Sequence, residues 1–449
     1  MAEVMRYLMV FVPLAFIARG QAGVVLHELS DPEVASKVRI ELKAEGKYLV
    51  ATAPGTKPAN EKNEAKSLLL KVESRYTFVE RVLEVKEGKP TRVGRRVIQA
   101  ASVVQGEVRP FETSIRPEMR TLVVEPVGTF HESISPAGPL TRPELELVQG
   151  PGDPLAFGGL FSSKEINVGD TWTVGDDLAR ALTGYDTLTA NQLEASLKSL
   201  DDAQAELTLK GHVRGSVLGG EGSMGLIGSA TFDRKLSVVT KLRVDRAEVR
   251  QAGPVETGLD MQSSLSIERL PASIPPELTD AAISGLPKVS EPGRDLLTFT
   301  SPDGTYTLLH DRAWHIASDD IRQVVFKRLD RGELIAQCNL VAGPNIGKGQ
   351  HQDVSQFRDD VKKALGVRFV AVLGAGEVDG NPAGNYRYKV AIQGREGDVG
   401  VLWYYYLVAS PSGDQLLVTF TLGQAKSPAF GEADLKLISS LEWTGKPRR

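Results

Sequence analysis

Between Val38 and Ile267 apolar and polar residues alternate in run after run, the period of strands with one dry and one wet face. The longest run puts Ala203, Ala205, Leu207, Leu209, Gly211, Val213, Gly215 and Val217 on one side, with polar residues between them. An extended run of that length reaches roughly 50 Å, so a bend is expected at Gly211 or Gly215. Gly219-Gly-Glu-Gly222 then turns the chain. Leu236, Val238, Thr240, Leu242 and Val244 form a second ladder, and Val255 to Ile267 a third after Gly253-Pro254. Earlier, Val38, Ile40, Leu42 and Ala44 form a strand expected to turn at Glu45-Gly46. Lys71 to Val85 and Arg92 to Val104 read as a hairpin joined by Lys86 to Pro90.

Clean alternation implies antiparallel neighbours with one face on a core, and that face has to be covered. Helix is scarce: only Thr141 to Leu160 and Asp176 to Leu182 are candidates. Thr141-Arg-Pro-Glu144 fits a capping box, and Gly150-Pro-Gly-Asp-Pro154 ends the short helix that it starts. The expected shape is therefore a curved sheet or half-barrel closing on its concave side. Its dry face carries Val213, Val217, Leu242, Val244, Leu259, Met261 and Leu265. These are the candidate ligand-binding residues, and the face is either closed core or a groove for a lipid or other apolar small molecule.

Prolines 271, 275, 276, 287 and 292 mark a boundary with little periodicity. Beyond Arg294 the texture is mixed: short strands, a helix with Val354, Phe357, Val361 and Leu365 on one side, more strands, and a closing helix from Ser427-Pro428. The chain thus divides into a leader (1–22), an antiparallel β-rich domain (23–270), a proline-rich linker (271–294), a second domain (295–445) and a basic tail (446–449).

Phe299-Thr-Ser-Pro-Asp-Gly-Thr-Tyr306, Trp314, the pair Gly380 and Gly384 before Tyr386-Arg-Tyr388, the aromatic strand Leu402-Trp-Tyr-Tyr-Tyr-Leu407 and the closing Ile438-Ser-Ser-Leu-Glu-Trp443 carry a resemblance. Leu297 to Trp443 resembles a PsbP-like domain, which implies an α/β/α sandwich serving in binding and assembly, without a catalytic motif to carry over. Val38 to Leu270 is similar to exported bacterial proteins of unknown function, through Val168-Gly-Asp-Thr-Trp172. A more distant architectural likeness is to the half-barrels of lipoprotein carriers. The fold class expected is α+β: a curved antiparallel sheet or half-barrel, then a PsbP-like sandwich.

Composition adds the compartment. Arg6, the apolar run Tyr7 to Ala18 and the small-x-small Gly20-Gln-Ala22 have the layout of a secretory signal cut after Ala22. Such a run makes a helix of roughly 18 Å, short of the ~30 Å hydrocarbon core. With no later apolar span and no cysteine after the leader, a soluble periplasmic or secreted product is expected, with no transmembrane segment in the mature chain. A net charge of −4 without a basic stripe argues against nucleic acid as a partner. The single cysteine, Cys338, alternates with Leu334, Ala336 and Leu340 and reads as buried.

Catalytic chemistry is thin. None of the six histidines sits in an H-E-x-x-H helix. Gly222-Ser-Met-Gly225 lacks the G-x-S-x-G spacing of a nucleophile elbow, and no P-loop is present. His310, Asp311 and His315 are the densest titratable cluster. Tyr404 and Tyr406 share one face of the aromatic strand, opposite Trp403 and Tyr405, and form a candidate recognition surface if no helix covers them. The reading is an exported, non-catalytic protein for binding or envelope assembly, with no cofactor or metal. Its partners are a lipid or other apolar small molecule, or an envelope protein. The alternatives are an exported hydrolase using His310, Asp311 and His315, and a purely structural surface protein.

Overall fold

The computed structural model describes residues 23–49, 67–106, 110–378 and 384–445; the leader and the basic tail lie outside them. The structure is mostly strand, arranged in open, curved antiparallel sheets. No helix among the described residues is long and apolar enough to cross a membrane.

The alternating runs form β1 (Ala35–Leu49), β2 (Ser67–Lys86), β3 (Lys89–Gly106), β4 (Phe111–Ser114), β5 (Thr121–Val127) and β6 (Phe130–Ile134). After a helical interval come β7 (Thr171–Thr173), β8 (Thr187–Leu200), β9 (Gln204–Val217), β10 (Gly220–Asp233), β11 (Val238–Arg250) and β12 (Gly258–Ala272). They make one sheet in the order β6-β5-β3-β2-β1-β12-β11-β10-β9-β8-β7, with β4 also on β3. The β2–β3 hairpin turns on Glu87 and Gly88, both at positive φ, which suits the twist of its strands.

The turn expected at Glu45-Gly46 is absent, because β1 runs straight through to Leu49. Gly46 serves a close approach instead: a Cβ there would lie 2.2 Å from the Asp260 carbonyl of β12. Gly211 of β9 does the same against β8, where a Cβ would lie 2.0 Å from the Gln192 carbonyl. Missing side chains at such points let the sheet curl where a larger residue would hold it open.

The dry face is covered by α1 (Arg142–Val148), a 3-10 segment at Pro154–Leu160 and α2 (Asp176–Thr183). The capping box is present: Thr141 accepts from the Glu144 amide at 3.3 Å while Glu144 accepts from the Thr141 amide at 2.9 Å. Phe157 and Leu160, Leu178 and Leu182 of α2, and Leu145 of α1 lie in one core with the sheet's apolar positions. Val168-Gly-Asp-Thr-Trp172 is a tight turn into β7, and the Trp172 indole donates to the Leu160 carbonyl at 2.9 Å.

The proline-rich stretch 271–294 is docked along its length on the sheet. It carries a 3-10 turn (Pro276–Leu278) and α3 (Asp280–Ile283). Arg81 of β2 donates to the Leu278 carbonyl at 2.7 Å and pairs with Asp280 at 2.7 Å. Arg92 of β3 donates to the Leu286 carbonyl at 2.7 Å, and Arg96 pairs with Glu277 at 3.0 Å. Gly94 leaves the space that Leu278 fills, since a Cβ there would lie 2.6 Å from Leu278 Cδ2.

The remaining chain builds β13 (Leu297–Thr300), β14 (Tyr306–His310), β15 (Trp314–Asp319), β16 (Gln323–Asp330), β17 (Glu333–Ala342), α4 (Val354–Leu365) and β18 (Phe369–Glu377). Next come β19 (Tyr386–Glu396), β20 (Val399–Ala409), β21 (Gln415–Gly423), α5 (Ser427–Phe430), α6 (Ala433–Ser439) and β22 (Glu442–Trp443). A seven-stranded sheet runs β15-β16-β17-β21-β20-β19-β18, beside a small sheet β13-β14-β22. On one face α4 packs Phe357, Val361 and Leu365 against Val390, Ile392 and Trp403. On the other, Phe430 of α5 and Leu437 and Ile438 of α6 pack on Phe326, Cys338 and Phe420. The single closing helix expected from Ser427 is two short ones, because Gly431 at φ 54° breaks it. Cys338 is fully buried there, as its alternation predicted, and burial pushes its thiol pKa well up.

Candidate functional site

The apolar candidate face is closed core. Val213, Leu242, Val244 and Leu265 are at most 1% exposed and pack against the helical cover. Leu259 is also buried, and Val217 and Met261 are half-buried at its margins. The expected lipid groove at these residues is therefore filled by protein, since side chains of α1, α2 and Pro154–Leu160 occupy the space.

The second candidate surface is covered as well. Tyr406 is fully buried beneath α6, its hydroxyl donating to Asp434 at 2.6 Å. Lys389 reaches the same carboxylate at 2.5 Å and lies 4.4 Å from the Tyr404 ring centre. Tyr404 packs at a tilt against Phe430. Asp434 thus holds a buried phenol and an ammonium together, and burial followed by Asp434 raises the Tyr406 pKa. This pair fastens a helix to the sheet and does not form an open recognition surface.

His310, Asp311 and His315 lie at the seam between the two sheet systems. His310 is buried; its Nδ1 meets the Asp311 backbone carbonyl at 2.9 Å and its Nε2 has no partner among the described residues. The Asp311 carboxylate is taken by Arg328 at 2.6 Å and by the Ala313 amide at 3.0 Å, so it orients neither ring. Burial, then Arg142, drives His315 down to about 3; burial dominates for His310, which falls to about 4. Arg142 of α1 crosses the seam to the carbonyls of Arg312 and Trp314, and Arg312 returns to the Ser133 carbonyl at 2.7 Å. The cluster is part of the seam between the two sheet systems.

The open site lies on the opposite, polar face of the large sheet. Register aligns Gln105, Lys71, Glu45, Gln262, Ala247, Gly225 and His212 in one row across β3, β2, β1, β12, β11, β10 and β9. The middle of that row is nearly bare: Ala247 and Gly225 raise no wall, while longer side chains stand on both sides. With the curl of the sheet this leaves a trough of about 1400 Å³. Lys43, Lys47, Lys71 and Leu69 stand along one wall, and Lys210, His212 and Ile227 along the other. The His212 ring lies beside the bare floor, 3.3 Å from where a Gly225 Cβ would be.

The trough is charged unevenly. Glu45 is engaged by Lys71 at 3.7 Å, and Asp245 lies 4.0 Å from Arg243. Among the described residues Lys43, Lys47 and Lys210 have neither an ion-pair nor a hydrogen-bond partner. Beneath the floor, Arg246 turns inward and donates to the Leu182 carbonyl at 2.8 Å and to Ser263 at 3.0 Å; burial lowers its pKa to about 10. Among the described residues no group of three or more His, Cys, Asp or Glu could hold a metal ion.

Sequence reasoning missed this trough because each of its residues occupies an ordinary wet position of its own strand. The available signal was the pair of small residues, Gly225 and Ala247, at outward positions of two ladders. It becomes a site only when register sets them side by side.

No protein-family model matches the chain, and no curated protein does. Among solved structures the chain is similar to a cyanobacterial PsbP (CyanoP) from Synechocystis sp. PCC 6803, at 17% identity over 35% of this chain and 98% of that one, TM-score 0.26. It is similar to a protein of Bacteroides thetaiotaomicron VPI-5482, at 14% identity over 33% of this chain and 48% of that one, TM-score 0.25. A third similar structure is of lipovitellin, at 5% identity over 55% of this chain and 26% of that one, TM-score 0.31. The chain thus spans about half of the Bacteroides protein and about a quarter of lipovitellin. A PsbP structure is among these likenesses, the family that Leu297 to Trp443 is expected to resemble.

Proposed function

We propose that this is an exported, non-catalytic binding protein of the α+β class, a curved antiparallel domain joined to a PsbP-like α/β/α sandwich, whose ligand lies in the trough on the polar face of its large sheet. The observation that carries this reading is the trough itself, about 1400 Å³ with a bare floor at Gly225 and Ala247. Small-ligand sites usually measure about 300–1,000 Å³, so the trough has room for a ligand of that size or larger. The hydrolase alternative loses support from Asp311, whose carboxylate is committed to Arg328 and a backbone amide. Export rests on the leader pattern of Met1 to Ala22.

Native mass spectrometry of protein purified from its own cell envelope tests the reading, comparing the parent chain with Ala247→Trp, which fills the floor. The parent should carry a bound mass that the variant lacks, with both chains showing the same thermal unfolding midpoint once stripped of ligand. An equal load on both, or none on the parent, would remove the trough as the binding site. N-terminal sequencing of the same material should begin at Gly23; an intact Met1 would argue against export.

A further inference from the structure

We infer that the ligand of the trough is an anionic amphiphile, an acyl chain bearing an acidic headgroup; this rests on the trough being the binding site. Two features of the walls point to it together. Lys43, Lys47 and Lys210 bring three ammonium groups with no ion pair within 4.0 Å among the described residues, although register sets Glu73, Asp260 and Glu194 across from them and the whole chain is net negative at −4. Of the three carboxylates lining the trough, Glu45 is engaged by Lys71, Asp245 lies at the limit of Arg243, and Asp260, without an ion pair within 4.0 Å, stands directly across from Lys47. Counted over the lining side chains that face the trough, four lysines meet three carboxylates, a balance of one positive charge left to a ligand.

The same walls are rich in carbon. Leu69 is 67% exposed on one side and Ile227 62% on the other, both at the trough surface. A lysine lays its methylenes along such a wall and keeps its ammonium at the water edge. An acyl chain lying over Gly225 and Ala247 would therefore touch Leu69, Ile227 and lysine stems, while its acidic head meets ammonium groups at the rim. A free inorganic anion would use only the rim. A neutral lipid would leave the lysines without partners.

Titration calorimetry on the full chain, below the critical micelle concentration, separates these cases. The probes are monoacyl phosphatidylglycerol, monoacyl phosphatidylcholine of the same chain length, and glycerol phosphate without a chain. The phosphatidylglycerol should bind about tenfold tighter than the phosphatidylcholine, which corresponds to one ion pair's worth of selectivity of about 1.4 kcal/mol. Its affinity should fall with added salt, as expected for contacts at the water edge. The combined variant K43Q, K47Q and K210Q should reduce the ratio to near unity, and I227S should weaken both lipids alike.

Equal affinity for the two lipids, lost together in Ala247→Trp, would refute charge selection while leaving the trough as the site. Glycerol phosphate competing as well as the lipid would overturn the amphiphile in favour of a simple anion. Binding of neither lipid to a parent chain that carried a native mass before it was stripped for the titration would overturn the ligand class alone. Lipid binding unchanged in Ala247→Trp would overturn the trough as well. Unaltered unfolding midpoints in the lysine and Ile227 variants, at exposed Lys43, Lys210 and Ile227 and half-buried Lys47, keep each result interpretable.

Discussion

At the scale of single residues, the strongest constraint is Arg95, only 1% exposed. It pairs with Glu80 at 2.7 Å and Asp153 at 2.6 Å, and its guanidinium lies 4.6 Å from the Phe78 ring centre. Burial alone would raise the Asp153 carboxyl, but Arg95 and then His131 outweigh it and hold it below the usual range. Removing the cation strands two buried carboxylates. Arg95→Ala should therefore lose about 3–5 kcal/mol, measured from the urea midpoint, whereas a loss below about 1 kcal/mol would mean that water replaces the guanidinium. Nothing local announces this triad. Its members come from β2, β3 and the loop before Leu155, and an arginine in a strand ordinarily reads as a wet-face residue. By contrast, Cys338 was legible as core from its neighbours alone, because alternation placed it among apolar residues.

At the scale of elements, local chemistry specifies ends and turns well. The Thr141–Glu144 capping box could be read from four consecutive residues because both of its hydrogen bonds are local. Thr141→Ala should cost about 1 kcal/mol. Glu144→Ala should cost more, since Glu144 also binds Arg116 through both carboxylate oxygens at 2.7 Å. Equal losses in chemical denaturation would mean that the Arg116 bridge contributes nothing. The docked stretch 271–294 shows the opposite case. Its prolines remove periodicity and read as a linker, while the arginines that fasten it, Arg81, Arg92 and Arg96, lie far away on β2 and β3. The lost turn at Glu45-Gly46 has a similar cause. A glycine marks either a turn or a close approach, and only the presence of β12 beside β1 decides which.

At the scale of the whole molecule, the seam joins the two sheet systems and makes their union sensitive to acid. The groups acting on His310 and His315 are Arg142 from α1 and Asp311, whose carboxylate Arg328 holds, with Lys327 directly across the ladder from His315. Both rings are neutral when folded. An unfolded histidine takes a proton near its ordinary 6.5, while folded His310 resists until about 4. Stability present above pH 6.5 should therefore be lost as the pH falls toward 4, with His315 extending the loss to about 3. His310→Phe keeps a ring against Phe326 and removes the titration. It should flatten the decline between pH 6.5 and 4 by up to about 3 kcal/mol, measured by urea unfolding at a series of pH values. An identical slope in the variant would place the acid sensitivity elsewhere.

The sequence by itself determined the strands, their wet and dry faces, the capped helix, the buried cysteine and the change of texture near residue 294. Period, caps and turn residues act over a few neighbours, so they survive reading along a line. Only the tertiary structure decided what each face meets. It closed Val213, Leu242, Val244 and Leu265 under helices, buried Tyr406 against Asp434, and set Gly225 beside Ala247 to open a trough on the polar side. Those outcomes depend on register and curvature across strands far apart in the chain. Alternation shows that a strand has two faces, but only its neighbours decide which face stays open.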